Sequence, residues 1–287
     1  MRTVSFITLL MVLSGCATTA AEAPANAPFD VTVTESQRYS PGGWSKALYA
    51  DIFQPDRPGP NPAVLMVHGG GWEGRHRSDM EARARQIARA GFVVVNIDHR
   101  FAPANRFPAQ LHDVQQAMHW IHDNAGQYGI DPRRISAYGY SSGAHLVSLL
   151  ALVAGQGGEL DTPYGGEKTR PVAVMAGGIP SDLTKFDSGR RLIQLLGGRE
   201  EEMPERYRRA SPVFHVHDQA PPFFLFHGTL DGLVPFDHSE DFHQALRDAG
   251  VTSELYPVRM RGHFLTFLMA GGATEEAINF LYNHQPR

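Results

Sequence analysis

Apolar residues along this chain follow two alternating rhythms. Short runs at Ala63 to Val67, Phe92 to Ile97, Ile135 to Gly139, Val172 to Ala176 and Phe223 to Phe226 have almost no polar interruption. Such runs predict strands buried on both faces, and Ser253 to Val258 adds another strand. Between them, Asp79 to Ala90, Ala109 to Asn124, Ala144 to Val153, Ser239 to Asp248 and Thr274 to Tyr282 read as helices. In Ala109 to Asn124, for example, Leu111, Val114, Ala117, Met118 and Ile121 recur at three- and four-residue spacing. Gly91 ends the first helix in the manner of a C-cap. Val31 and Val33 alternate with polar neighbours, and Ala47 to Phe53 supplies a partner strand for an opening hairpin. This alternation predicts an α/β fold, a mostly parallel central sheet with helices on both faces. Pro180 to His217 breaks the rhythm. It is long, charged and irregular, and is expected to form a small lid or cap.

The N-terminus follows neither rhythm. Arg2 precedes an apolar stretch from Val4 to Leu13, too short for a bilayer span but suited to a signal-peptide core. Leu13-Ser14-Gly15-Cys16 resembles a bacterial lipobox, in which cleavage precedes a lipidated cysteine. The expected organisation is a lipoprotein-type signal peptide over residues 1–15, a tether over 16–28 rich in Ala, Pro and Thr, and one domain over 29–287. The resemblance places the protein in the bacterial cell envelope, lipid-anchored through Cys16 at the outer membrane or periplasmic face; without the anchor it would be secreted. Acyl chains on Cys16 would hold it to a membrane. Cys16 is also the single cysteine, so no intramolecular disulfide is possible. The formal charge of −4, with no Lys/Arg block, argues against a nucleic-acid partner. The fourteen histidines show no His-Glu-x-x-His spacing, and neither a metal nor an organic cofactor is expected.

The chemistry concentrates at the ends of predicted strands. Gly139-Tyr140-Ser141-Ser142-Gly143 lies between a predicted strand and a predicted helix. There the chain turns sharply, glycines sit where a Cβ would clash, and Ser141 Oγ projects above the sheet edge as a nucleophile. The helix N-terminus beside it favours developing negative charge. Read alone, the pentapeptide could equally be a glycine-rich turn with a capping serine. His68-Gly69-Gly70-Gly71-Trp72 follows another strand, and consecutive glycines let backbone N–H groups approach an oxyanion closely. Trp72 would shape an acyl pocket or pack against the loop.

His-Gly-Gly-Gly ahead of Gly-x-Ser-x-Gly resembles the α/β-hydrolase-fold esterases of the hormone-sensitive-lipase-like group and the acetyl/feruloyl esterases of carbohydrate-degrading bacteria. Asp98-His99-Arg100-Phe101-Ala102-Pro103 and Phe107-Pro108-Ala109 are similar to blocks of those families, and the likeness runs from about Pro62 onward. It implies that Gly70, Gly71 and the N–H of Ser142 form an oxyanion hole. His227-Gly228-Thr229-Leu230-Asp231-Gly232-Leu233-Val234-Pro235 resembles the turn that carries the family's acid, which gives Asp231; Asp237, past Pro235, is expected to cap the next helix. His263, in Arg261-Gly262-His263-Phe264 after the last predicted strand, is the base by position, and His227 is expected to support the turn. Ser142-Gly143-Ala144-His145 departs from the Ala-Gly-Gly-Asn of lipase-like members. It is closer to kynurenine-formamidase-like and carbohydrate-esterase-like ones.

The resulting expectation is a serine carboxylesterase acting on short acyl groups, with acetyl esters of glycans as candidate substrates, through an acyl-enzyme. A formamidase or amidase with the same triad is the nearest alternative, and a non-catalytic binding module on a hydrolase fold is the alternative of another class. A peptidase would usually add a large N-terminal propeller, for which the residues before the core leave no room. The oligomeric state is left open.

Overall fold

A computed structural model describes residues 28–186 and 189–286. The expected signal peptide, Cys16 and all of the tether before Pro28 lie outside the described residues. The strands are β1 (Val31–Arg38), β2 (Tyr49–Pro55), β3 (Asn61–Val67), β4 (Val93–Ile97), β5 (Ile130–Tyr140), β6 (Val174–Gly177), β7 (Phe223–Gly228) and β8 (Ser253–Val258). The helices are α1 (Glu81–Arg89), α2 (Ala109–Asp123), α3 (Ser142–Val153), α4 (Arg190–Leu196), α5 (Pro204–Arg209), α6 (Asp237–Asp248), α7 (His263–Leu268) and α8 (Ala273–Asn283). The strands form one sheet in the order β1-β2-β4-β3-β5-β6-β7-β8. β1 and β2 pair antiparallel, β2 joins β4 antiparallel, and every pairing from β4 to β8 is parallel.

The continuous apolar runs have the cause expected of them. In β3, Ala63, Leu65 and Val67 point into one core, while Val64 and Met66 point into another on the opposite face. β4 divides likewise, with Val93, Val95 and Ile97 on one side and Val94 on the other. Helices α2, α3 and α6 fill the first core; α1 and α8 fill the second. Because the middle of the sheet is parallel, the loops leaving the C-terminal ends of β3, β5, β7 and β8 gather on one edge, where open α/β sheets bind their ligands.

Three details differ from the sequence expectation. β5 starts at Ile130, where it pairs with Asn61 ahead of a register shift. The stretch after His263 is helical as α7. Pro180 to His217 is not irregular: its described part holds α4, α5 and two 3-10 turns, Leu183–Lys185 and Pro212–His215. Leu195, Leu196 and Tyr207 are fully buried there, so the segment packs as part of the body through apolar contacts that its charged sequence obscures.

Candidate active site

The turn at Ser141 is held in a backbone conformation that L-residues seldom adopt, with φ 54° and ψ −123°. Glycines make it possible. A Cβ on Gly139 would stand 2.3 Å from the carbonyl carbon of Gly143, and one on Gly143 would stand 2.2 Å from the Val67 oxygen. The strand end, the start of α3 and the end of β3 therefore pack closer than any side chain permits. Ser141 N–H donates to the Gly177 carbonyl (2.8 Å), and its own carbonyl accepts the first bond of α3 from His145 N–H (3.0 Å).

His263 is the first residue of α7 and is 7% exposed. Its Nε2 lies 2.9 Å from Ser141 Oγ, and its Nδ1 lies 2.6 Å from Asp231 Oδ2. A carboxylate can only accept, so Nδ1 carries the hydrogen and Nε2 presents its lone pair to the serine hydroxyl. Asp231 Oδ1 accepts from the N–H groups of Leu233 and Val234, each at 2.9 Å. Burial pushes the Asp231 carboxyl up, but hydrogen bonds from His227, His263 and Val234 outweigh it and hold the group well below the usual carboxylate range. Three residues distant in sequence thus form one relay in which Ser141 can give up its proton to His263 and Asp231 can stabilise the imidazolium. Asp237 is elsewhere: it sits in the first turn of α6, not at the N-cap position, which is Phe236, and pairs with Lys185 Nζ at 2.8 Å.

Beside this relay, Gly69 approaches Ser141 so closely that a Cβ there would stand 3.2 Å from the serine Cβ. Gly70 and Gly71 follow with φ of 127° and 62°. Among the hydrogen bonds of the described residues, none is donated by the N–H of Gly70, Gly71 or Ser142. The Ser142 N–H is one of the unpaired donors that open any helix, here at the N-terminus of α3. These unpaired donors are the kind of groups that an oxyanion would satisfy.

Trp72 turns away from this loop into the core. It is 5% exposed and its Nε1–H donates to His145 Nδ1 at 3.2 Å. His145 Nε2 in turn bonds the Ala210 carbonyl at 2.6 Å, and burial pushes its pKa down to about 4. The histidine of the Ser-Gly-Ala-His run therefore ties α3 to the glycine loop and to the end of α5. His68 and His99 stack at 4.6 Å beneath the same loop, both fully buried. Burial and the neighbouring His99 lower His68 to about 3, and burial lowers His99 to about 4. The Asp-x-Arg block supports the site from behind: Arg100 pairs with Asp113 of α2 at 2.8 Å, and Ala102 N–H donates to the Trp72 carbonyl. Tyr140, which no sequence argument singled out, donates its hydroxyl to the His263 carbonyl. Its position inside the serine pentapeptide was the available signal.

Among the described residues, no group of three or more His, Cys, Asp or Glu side chains is arranged to hold a metal ion. The family described as BD-FAE matches residues 50–246, the stretch that holds the glycine loop, Ser141 and Asp231. The chain belongs to the BD-FAE family. The resemblance to esterases of the α/β-hydrolase fold, drawn from the sequence motifs, is borne out at that level. Esterase LipQ of Mycobacterium tuberculosis (strain ATCC 25618 / H37Rv) is 33% identical over 240 residues, covering 78% of this chain and 55% of its own. The chain spans about half the length of the curated relatives it matches. A truncated carbohydrate esterase from gut microbiota shares the fold with a TM-score of 0.79 at 23% identity, over 93% of this chain and 100% of that one. The bifunctional GH43-CE protein of Bacteroides eggerthii is 26% identical with a TM-score of 0.79, over 88% of this chain and 35% of that one.

Proposed function

We propose that this protein hydrolyses carboxylic esters with Ser141 as nucleophile, His263 as general base and then acid, and Asp231 as the carboxylate that orients the imidazole. The observation that carries this reading is the continuous relay from Ser141 Oγ to His263 (2.9 Å) and on to Asp231 (2.6 Å). In the proposed path, His263 Nε2 takes the serine proton as Oγ bonds to the ester carbonyl carbon. The oxyanion is held by the N–H groups of Gly70, Gly71 and Ser142. Collapse expels the alcohol, protonated by His263, and leaves an acyl-serine. Water deprotonated by His263 then releases the acid. Membership in the family and the likeness to LipQ, named an esterase, support ester bonds as the target.

The acyl group is proposed to be short, with acetyl esters of glycans foremost. Support comes from the resemblance of the site motifs to the acetyl/feruloyl esterases of carbohydrate-degrading bacteria. Envelope localisation through lipid on Cys16 is part of the same proposal; a Cys16→Ala chain that still partitions with membranes would remove it.

The decisive experiment compares the wild type with Ser141→Ala on p-nitrophenyl esters from acetate to palmitate, with N-formylkynurenine alongside. Hydrolysis of the short esters that vanishes in Ser141→Ala is the expected result. Activity confined to the formamide would move the assignment to an amidase. Silence on every substrate in a folded protein would favour a binding module.

A further inference from the structure

Asp231 meets a second histidine. His227, in β7, is fully buried, and its Nε2 lies 3.2 Å from the same Oδ2 that receives the hydrogen bond of His263. The surroundings fix the tautomer of this ring. Nε2 faces two acceptors, the Val234 carbonyl at 2.9 Å and the Asp231 carboxylate, so it carries the hydrogen. Nδ1 lies 2.6 Å from Ser239 Oγ, whose hydroxyl donates to it. Ser239 is itself fully buried in α6, so strand, turn and helix converge on one closed network.

We propose that His227 is a positioning residue for the ester-cleaving site, its Nε2–H shared between the Val234 carbonyl and the carboxylate of Asp231 and thereby setting how basic His263 is. This rests on the triad reading given above. Each donor to a carboxylate stabilises its charge and lowers its basicity. Remove one, and the carboxylate attracts the His263 proton more strongly, the imidazolium gains stability, and the base stays protonated to higher pH. A base protonated at neutral pH cannot accept the serine proton. The depressed Asp231 carboxyl agrees, since His227 is among the groups that offset burial there. Two other titratable groups bear on this network. Tyr140 of β5 is kept protonated by burial, and burial holds His238 of α6 neutral down to about pH 4. Neither changes charge in the neutral range.

The test is the pH profile of kcat/KM on p-nitrophenyl acetate for wild type, His227→Leu, His227→Gln, Ser239→Ala and Ser141→Ala. His227→Leu should raise the midpoint of the acid limb by about half a pH unit or more and lower kcat several-fold at unchanged KM. His227→Gln, whose amide N–H can stand where the ring Nε2–H stood, should bring the midpoint back toward wild type. Ser239→Ala frees the tautomer and should shift the limb the same way by less. A residue that only filled space would change thermal stability and leave the midpoint in place. Acid limbs that superimpose on wild type in folded His227→Leu overturn the proposal; if that variant does not fold, an unmoved limb in Ser239→Ala does so. Ser141→Ala separates the two readings. Activity surviving there removes the triad itself, whereas activity lost there with unmoved midpoints removes only the role of His227.

Discussion

The phenol of Tyr140 donates a hydrogen bond to the backbone carbonyl of His263, 2.5 Å away, although 123 residues separate them. The residue before Ser141 thus holds the loop that brings the imidazole to Ser141, and its ring also tilts against the imidazole at 5.2 Å. Tyr140→Phe keeps the ring and removes the bond, while the carbonyl keeps its helical partner in α7, so the cost to stability is about 0.5–1.5 kcal/mol. We expect kcat to fall roughly ten-fold with KM little changed, because only the alignment of the base is disturbed. Steady-state kinetics on p-nitrophenyl acetate, with a urea midpoint for stability, check both parts.

The two glycines of the candidate oxyanion loop should not tolerate alanine equally. A Cβ on Gly70 would stand 2.3 Å from the Gly74 carbonyl oxygen, which is backbone and cannot swing aside. On Gly71 it would meet Arg191 Cδ at 2.7 Å, part of a half-exposed side chain that can move. Both positions carry positive φ, so both variants are strained. Gly70→Ala is expected to lose activity by roughly a hundred-fold or more, comparable to losing an oxyanion donor, and Gly71→Ala by clearly less. Equal losses in the two variants would contradict this ranking.

Acid should unfold the protein early. His68, His99, His145 and His238 are buried, and their pKa values are lowered to between about 3 and 4. Once unfolded, they bind protons near their ordinary value of 6.5, so between that pH and about 4 the unfolded chain holds more protons than the folded one. Stability therefore rises with pH across this window and is lost as pH falls through it, by on the order of 1.4 kcal/mol per histidine for each unit of separation. Urea midpoints measured from pH 7.5 down to pH 4.5 should decline steadily. A flat profile would show that these rings are not buried neutral.

The ion pair of Arg100 and Asp113 lies between the glycine loop and α2. Asp113 has no exposed side-chain surface and also accepts from Trp44 Nε1 at 2.7 Å. Arg100→Leu strands a buried carboxylate and is expected to cost about 3–5 kcal/mol. Replacing both, as Arg100→Leu with Asp113→Leu, should recover a large part of that loss, because no charge is then left without a partner. Denaturant titration of the two variants gives the comparison.

Much of this molecule was legible in its sequence because both rhythms are local. Val64 and Leu65 face opposite cores whatever lies elsewhere in the chain, so β3 reads as a doubly buried strand from its own residues. Ser141 was legible for a similar reason: glycines at 139 and 143 are what a tight strand-to-helix turn demands. The fold class followed from these local rules, whereas Asp231 and His263 were picked out by the resemblance of their turns to those of the family. Helix α7 was less legible, since only six residues carry it and they show no helical stripe.

Tertiary structure alone decided the contacts across sequence distance. Nothing local in Pro180 to His217 shows that Leu195, Leu196 and Tyr207 are covered by the rest of the fold. No spacing told that Trp72 would donate to His145, that Tyr140 would bind the His263 carbonyl, or that His227 would share an oxygen of Asp231 with His263. Periodicity determines which face a side chain occupies on its own element. Which side chains then share a few ångströms depends on how elements far apart in the chain pack, and that is settled only when the whole sheet and both helical layers close on their cores.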